Sequence, residues 1–393
     1  MRASQVSASQ ATPGEGASAE RRIEPVRKVP VSFSRYRDAL RSLRGAGLGS
    51  TVDRLSTSLS PKAPPKMASG EGVPVFFVVG LAKSGTTWLM KTLDAHPEIL
   101  CKGEGLFFGR EHRRELDDMA RMVARQPPSS LYNALLGSEY LRLWIERSVW
   151  SRDGDPDEHL KALLRLAMDY FLNERLARSG KRLVGDKSPL LGPKFVEEIH
   201  EIYPEARVIH IIRDGRDQAI SFIHQQGNRA KRGRTHRLST EELAKSEAYR
   251  RSPRELAERG GGMFAEKTLR KAAQNWSLRV GQAIEDGPSL FGDCYTEVRY
   301  EDLLVRPNEE VHRLLGFLGV DTDEWLVQSC VNSASFENLS KGRERGQEDP
   351  SSFYRKGVAG DWKNLFNERD RQIYKEEAGE LLIRLGYEKN DDW

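Results

Sequence analysis

The stretch VFFVVGLAKSGTTWLMKTL, Val75–Leu93, decides the fold. An apolar run ends in Gly80, a loop leads to Gly85, and a helical pattern follows. The two glycines stand in the G-x-x-x-x-G spacing of a phosphate-binding loop. The second glycine lets the backbone approach a phosphate, and the N–H groups of Gly85, Thr86 and Thr87 open the helix toward the anion. The hydroxyls of Thr86 and Thr87 add donors. In a nucleotide triphosphatase a lysine follows the second glycine, and the next Ser or Thr holds magnesium. Here Thr86 takes that place and Lys83 lies inside the loop. No apolar strand ends in an aspartate suited to hold magnesium. The loop therefore reads as a metal-free site for a phosphate whose bridging oxygen meets Lys83. A plain glycine turn with a solvated lysine is the alternative. The company of Ser84, Thr86, Thr87 and Trp88 argues against it.

Outward from this loop, β-rich runs alternate with helical patterns. Strands are expected at Val75–Val79, Glu98–Cys101, Arg182–Gly185, Arg207–Ile212 and Tyr295–Tyr300. Helices are expected at Thr87–Ala95, Leu131–Trp150, Glu158–Ala177, Lys194–Ile202, Asp217–Gln225 and Lys267–Ile284. Such alternation implies an α/β fold: a single P-loop-like domain with a central parallel sheet of about five strands covered by helices on both faces. The domain is expected over 73–393. Residues 1–72, rich in Ser, Ala, Gly, Pro and Arg, read as a disordered or weakly structured extension and linker. Within it, SRYRDALRSLRG reads as a short basic amphipathic helix. A charged insertion at about 226–263, poor in large apolar residues, reads as a solvated loop, with a mobile basic lid as its functional alternative.

Two more basic motifs follow. In ARVIHIIRDGRDQAISF an apolar run ends in Arg213, and Ser221 follows near one face of the next helix. Ligands bind at the carboxyl ends of strands in open α/β sheets, so Arg213 is placed to clamp a second phosphate, with Ser221 adding a hydroxyl. The loop YRKGVAGDWKNLF carries Arg355, Lys356 and Gly357. Taken singly, each motif also fits a capped helix or a solvated turn.

Composition removes other classes. The chain has 393 residues, with Lys+Arg 62 against Asp+Glu 58 and a net charge of +4. That balance makes no case for nucleic acid or an anionic membrane as partner. No apolar stretch is long enough to span a bilayer. Cys101, Cys294 and Cys330 lie far apart without metal spacing and fit a reducing compartment. A cytoplasmic location is expected. The Ser/Ala-rich start leaves organellar targeting open, against Glu15, Glu20 and Glu24.

AKSGTTW, RDGRDQAIS and RKGVAGDWKN together resemble, in order and spacing, the sulfotransferases that use 3′-phosphoadenosine-5′-phosphosulfate. The resemblance covers about residues 74 to 370. It implies that Lys83, Ser84, Gly85, Thr86 and Thr87 hold the 5′-phosphosulfate and that Trp88 stacks near the adenine. It also implies that Arg213 and Ser221 hold the 3′-phosphate and that Arg355, Lys356 and Gly357 close over it. The donor carries a sulfuryl group on one phosphate, so lysines suffice without a metal. Lys83 stabilises the leaving oxygen, and Lys187 in GDKSP is the candidate second cation. The cytosolic branch of the family takes its base from a histidine in a KTH-like motif, which DKSP lacks. The carbohydrate and tyrosyl branches place a glutamate soon after the first helix, and Glu104 in KGEGLFF stands there. Asp186 and His224 are the alternative bases. The acceptor implied is a small molecule or carbohydrate with a hydroxyl or amine. The absence of a transmembrane anchor argues against an enzyme acting on secreted proteins or glycans. A P-loop kinase and a non-catalytic binder of 3′-phosphoadenosine nucleotides are the competing classes.

Overall fold

A computed structural model describes residues 73–109, 130–234, 236, 238–252 and 262–393. The chain divides into Met1–Pro64, which lies outside these residues, and Pro65–Trp393, which holds all of them. The amphipathic pattern and the linker expected within 1–72 fall outside the description, as does part of the charged insertion.

Five strands form one parallel sheet: β1 Val75–Gly80, β2 Ile99–Gly103, β3 Leu183–Pro189, β4 Arg207–Ile212 and β5 Tyr295–Arg299, in the order β2-β3-β1-β4-β5. β1 is the central strand, pairing with β3 from Val75↔Val184 to Gly80↔Pro189 and with β4 from Phe76↔Arg207 to Val79↔His210. Its side chains alternate between the two faces, as a strand covered on both sides requires. Phe77 and Val79 join one core with Leu164, Met168, Phe195 and Ile199. Phe76 and Val78 join another with Leu89, Leu93, Leu314 and Leu315.

The first face is covered by α4 Pro156–Ser179 and α5 Phe195–Ile202, the second by α1 Thr86–Asp94 and α10 Pro307–Leu318. Between β2 and α4 come α2 Leu131–Leu136 and α3 Glu139–Arg147. The expected single helix over Leu131–Trp150 is thus two, because Gly137 ends the first and the Ser138 hydroxyl caps the second by accepting from Leu141 N–H. α4 is bounded by local signals: the Asp155 carboxylate caps it, Pro156 opens it, and Gly180 ends it in the left-handed conformation.

A third core lies beside β4, built from α6 Gly215–Lys231, α7 Thr240–Arg251, α8 Glu266–Phe291 and α14 Glu368–Arg384, with Trp276 and Tyr374 fully buried in it. The expectation of a solvated loop at 226–263 is corrected here. α6 continues to Lys231, and α7 starts with a capping box between Ser239 and Glu242. Tyr249 anchors α7 in the core, so most of the charged side chains of the described part form the outer faces of packed helices. The remaining helices are α9 Tyr300–Val305, α11 Glu324–Ser333, α12 Phe336–Ser340 and α13 Trp362–Leu365.

At the start of α6 the Asp214 carboxylate caps the helix by accepting from Arg216 N–H and also pairs with the Arg216 guanidinium. That guanidinium has 1% exposure, meets Glu388 as well, and packs against the rings of both Trp362 and Trp393, at 3.7 and 4.3 Å from their centroids. Arg216→Ala is expected to leave the Asp214 carboxylate buried without its partner and to destabilise the protein by about 3–5 kcal/mol, read as a lower urea midpoint.

Candidate functional site

The loop between β1 and α1 is held from below and from the side. Ser84 N–H donates to Leu81 O at 3.0 Å, closing the turn. Gln218 on α6 donates to Ala82 O at 2.6 Å, and the Arg213 guanidinium, at the end of β4, donates to Lys83 O at 3.1 Å. Lys83 takes a left-handed conformation (φ 76°), and so does Gly85 (φ 97°). A side chain at Gly85 would drive a Cβ to 2.7 Å from the Tyr300 ring, so glycine is required there on two counts. The first-turn N–H groups of α1 have no intrahelical acceptors and face the end of the sheet.

These residues border a cavity of about 110 Å³. Lys83, Thr86, Thr87, Arg213, Arg345, Arg355 and Lys356 give it cationic and polar walls. Trp88, Leu304, Ala334, Phe336 and Leu339 give it an apolar wall, with the Arg345 guanidinium 5.9 Å from the Trp88 ring centroid. Gly85, Ser221 and Gly357 complete the set expected from the sequence, with Ser84 the exception: it lies beneath the loop at 1% exposure. Gly357 (φ 69°) passes against the Phe336 ring, where a Cβ would stand at 2.4 Å.

The cations differ in how they are compensated. Among the described residues no carboxylate pairs with Lys83, whose ammonium sits 3.9 Å from the centroid of Phe353. Burial, then the charges of Arg213 and Arg355, lower its pKa to about 8. Arg213 is buried, with its guanidinium 4.2 Å from the Tyr300 ring centroid, and its Nε has no partner. Arg355, by contrast, pairs with Glu348 and Asp361, and Lys356 pairs with Asp361 at 2.6 Å. Asp217 at the start of α6 accepts from Gly360 N–H and Trp362 N–H, at 2.6 and 2.9 Å. Asp217 of the second motif therefore ties it to the third, Asp361 neutralises the cations of its own loop, and Lys83 and Arg213 face the cavity.

Glu104 and Lys187 meet elsewhere. Lys187 lies within β3, two residues beyond the expected strand end, in register with Val78 of β1 and Gly103 of β2. Its ammonium, 6% exposed, donates to Glu104 at 2.7 Å, and the Glu104 side chain is 54% exposed. The pair borders neither the cavity just described nor the one beside it. Asp186 accepts from Gly105 N–H at 2.9 Å and from the Ser188 hydroxyl at 2.6 Å, so it holds the loop that carries Glu104. Burial raises the Asp186 pKa against those two hydrogen bonds. His224 is buried against the Tyr249 ring, and neither ring nitrogen has a partner among the described residues. Burial, then Arg355, hold its pKa well below the usual imidazole value.

Sequence reasoning missed several cavity residues. Tyr300, expected only as the last residue of its strand, faces Arg213 and meets Trp88 edge-on at 5.5 Å. Phe353 and Tyr354 directly precede the RKG motif, an aromatic pair whose position was the available signal. Phe336, Leu339 and Arg345 carry no motif and are brought in by the fold alone. Among the described residues no three His, Cys, Asp or Glu side chains gather so as to hold a metal ion, and no helix is long and apolar enough to cross a membrane.

A family model described as the sulfotransferase family matches residues 74–324. Nodulation protein NoeE of Sinorhizobium fredii (strain NBRC 101917 / NGR234) is 25% identical over 321 residues, covering 80% of this chain and 66% of that protein. Protein-tyrosine sulfotransferase 2 of Gallus gallus is 25% identical over 277 residues, covering 68% of this chain and 58% of its own. The chain thus spans less than two thirds of the length of either relative. The crystal structure of mouse sulfotransferase SULT7A1 complexed with PAP is 16% identical and covers 78% of this chain and 85% of its own, with a TM-score of 0.40.

Lys83 combines a left-handed backbone with a half-buried charge facing other cations. Lys83→Asn keeps a residue tolerant of that backbone and removes the charge. It is expected to stabilise the unliganded protein by about 1 kcal/mol at pH 7. Because the folded pKa is depressed, the unfolded state binds more protons between about pH 8 and the ordinary lysine range. Wild-type stability should therefore rise through that window, and the advantage of the variant should shrink. Urea denaturation at pH 7 and pH 9.5 checks both signs.

Proposed function

The chain belongs to the sulfotransferase family, and we propose that it transfers a sulfuryl group from 3′-phosphoadenosine-5′-phosphosulfate to a hydroxyl or amine of a small acceptor. One observation carries this reading. A single cavity brings the three basic motifs together with an apolar wall of Trp88, Leu304, Phe336 and Leu339. That wall suits a planar base covered by Trp88, and the cations suit a donor with two separate phosphates. In this reading Lys83, Ser84, Gly85, Thr86 and Thr87 hold the phosphosulfate, Ser84 through its place in the loop. Arg213, Ser221, Arg355, Lys356 and Gly357 hold the 3′-phosphate.

The acceptor oxygen or nitrogen attacks sulfur in line. The bond from sulfur to the 5′-phosphate oxygen breaks, and its electron pair stays on that oxygen. Lys83 stabilises the charge that develops there, an interaction realised in the transition state and hence expressed in turnover. Glu104 takes the proton that the acceptor loses, and Lys187, its ion-pair partner, is the second cation; the pair borders neither cavity of the unliganded protein, so both roles require it to approach the bound acceptor. The burial and bonding of Asp186 suit it to holding the Glu104 loop rather than to exchanging protons with a substrate.

Calorimetry tests the donor. 3′-Phosphoadenosine 5′-phosphate is expected to bind at least about tenfold tighter than AMP, since one charge-assisted contact to the 3′-phosphate contributes roughly 1.5–3 kcal/mol. Binding should survive EDTA. Equal affinity for the two nucleotides would remove the 3′-phosphate site, and an EDTA-sensitive site would favour a kinase.

A second measurement tests the base. Glu104→Gln should reduce turnover on a hydroxyl acceptor by roughly a hundredfold and abolish the acid limb of the pH–rate profile, with nucleotide affinity nearly unchanged. Near-normal turnover in that variant, with activity lost in His224→Ala or Asp186→Asn, would move the role to the other residue.

A further inference from the structure

A second cavity, of about 160 Å³, adjoins the first. The two share Lys83, Ser221, Phe353 and Arg355, and the Phe353 ring stands over the Lys83 ammonium at their junction. The rest of the second wall comes from the last turns of α6 and the residues just after it, faced by Ser351 and Ser352.

Its charge is one-sided. Lys83, Arg229, Arg232, Arg234 and Arg355 line it, and among the described residues no carboxylate does. Arg355 is already matched by Glu348 and Asp361. Lys83, Arg232 and Arg234 have no carboxylate partner among the described residues. Basic residues near a helix C-terminus complement its dipole, and that alone could account for Arg229. It does not account for Arg232 and Arg234, which lie beyond the helix and wall a concave space reaching back to Lys83. Uncompensated like charges in a concave site raise the local concentration of a counter-charged ligand. Arginine forks match carboxylate and phosphate oxygens in pairs.

We propose that this second cavity is an anion site for the acceptor. The acceptor is a small molecule that carries a phosphate, sulfate or carboxylate of its own besides the group that is sulfated. Its anionic end lies among Arg229, Arg232 and Arg234, and its nucleophile points past Phe353 toward Lys83. This rests on the donor occupying the first cavity. The donor has its own cations there, and none of the three distal arginines borders that cavity. No bond changes at the distal end, so the arginines act on binding and orientation alone.

The test uses the full chain saturated with 3′-phosphoadenosine 5′-phosphate, with inorganic pyrophosphate as the probe in calorimetry. One equivalent of pyrophosphate is expected to bind. Arg232→Ala/Arg234→Ala, two exposed positions, should weaken it at least about tenfold and leave the nucleotide affinity as in wild type. Absence of pyrophosphate binding to the saturated wild type, or equal binding in the double variant, overturns the anion site. A parallel loss of nucleotide affinity in the double variant also overturns it, because the arginines then serve the donor. If the wild type fails to bind the nucleotide, the donor reading fails by itself. Pyrophosphate titrated into the nucleotide-free proteins still decides the cavity, with loss in the double variant supporting it and equal binding overturning it.

Discussion

The guanidinium of Arg213 reaches from the end of β4 to the carbonyl of Lys83, across the parallel pairing of β1 and β4. This contact sets the shape of the first loop, and through it the direction in which the Lys83 ammonium points. It depends on Arg213 being held in turn. Trp276 donates from its indole N–H to Arg213 O at 3.0 Å, and Tyr300 covers the guanidinium face. The third core, with its buried Trp276 and Tyr374, can therefore be seen as the support of one side chain at the sheet end. The sheet supplies position, and the helices beside β4 supply rigidity.

Compensation of charge separates support from site. Asp214, Asp217 and Asp361 each satisfy cations or backbone donors inside the frame. Lys83 and Arg213 are left facing the cavity without carboxylates. A protein bears that cost where a ligand of opposite charge relieves it, and the depressed pKa of Lys83 expresses the same cost. Arg355 and Lys356 are intermediate: they line the cavity but share Asp361, so an anion there competes with a carboxylate for their donors.

The five strands were legible because each is a short β-rich run bounded by turn residues, and their parallel order followed from the helices between them. Arg213 was legible as a charge at the end of an apolar run, a position with few structural uses. Lys187 was expected just past its strand, because Asp186 and Lys187 do not look like buried strand positions. Their burial depends on Glu104 and Gly105, in the loop after β2 and remote in sequence, as well as on the neighbouring Ser188. The helical character of the charged insertion was hidden for a related reason. Its apolar anchors, Leu238, Tyr249 and Met263, are sparse and far apart, and the polar majority sets the composition. Phe336 and Leu339 join the cavity from a helix remote in sequence from the phosphate loop, so only the folded chain brings them there.

Trp88 has one more consequence. Of the seven tryptophans in the chain, it is the one that borders the first cavity. Its indole lies edge-on to Tyr300 and opens toward a cleft completed by Phe336 and Leu339. Trp276 and Trp362 are sealed in the frame, and Trp144, Trp150 and Trp325 stand in solvent. A flat aromatic occupant of the cleft would lie against a single emitter, while the others serve as a constant background. The fold thus carries its own optical probe of occupancy, set in the apolar wall of the cavity.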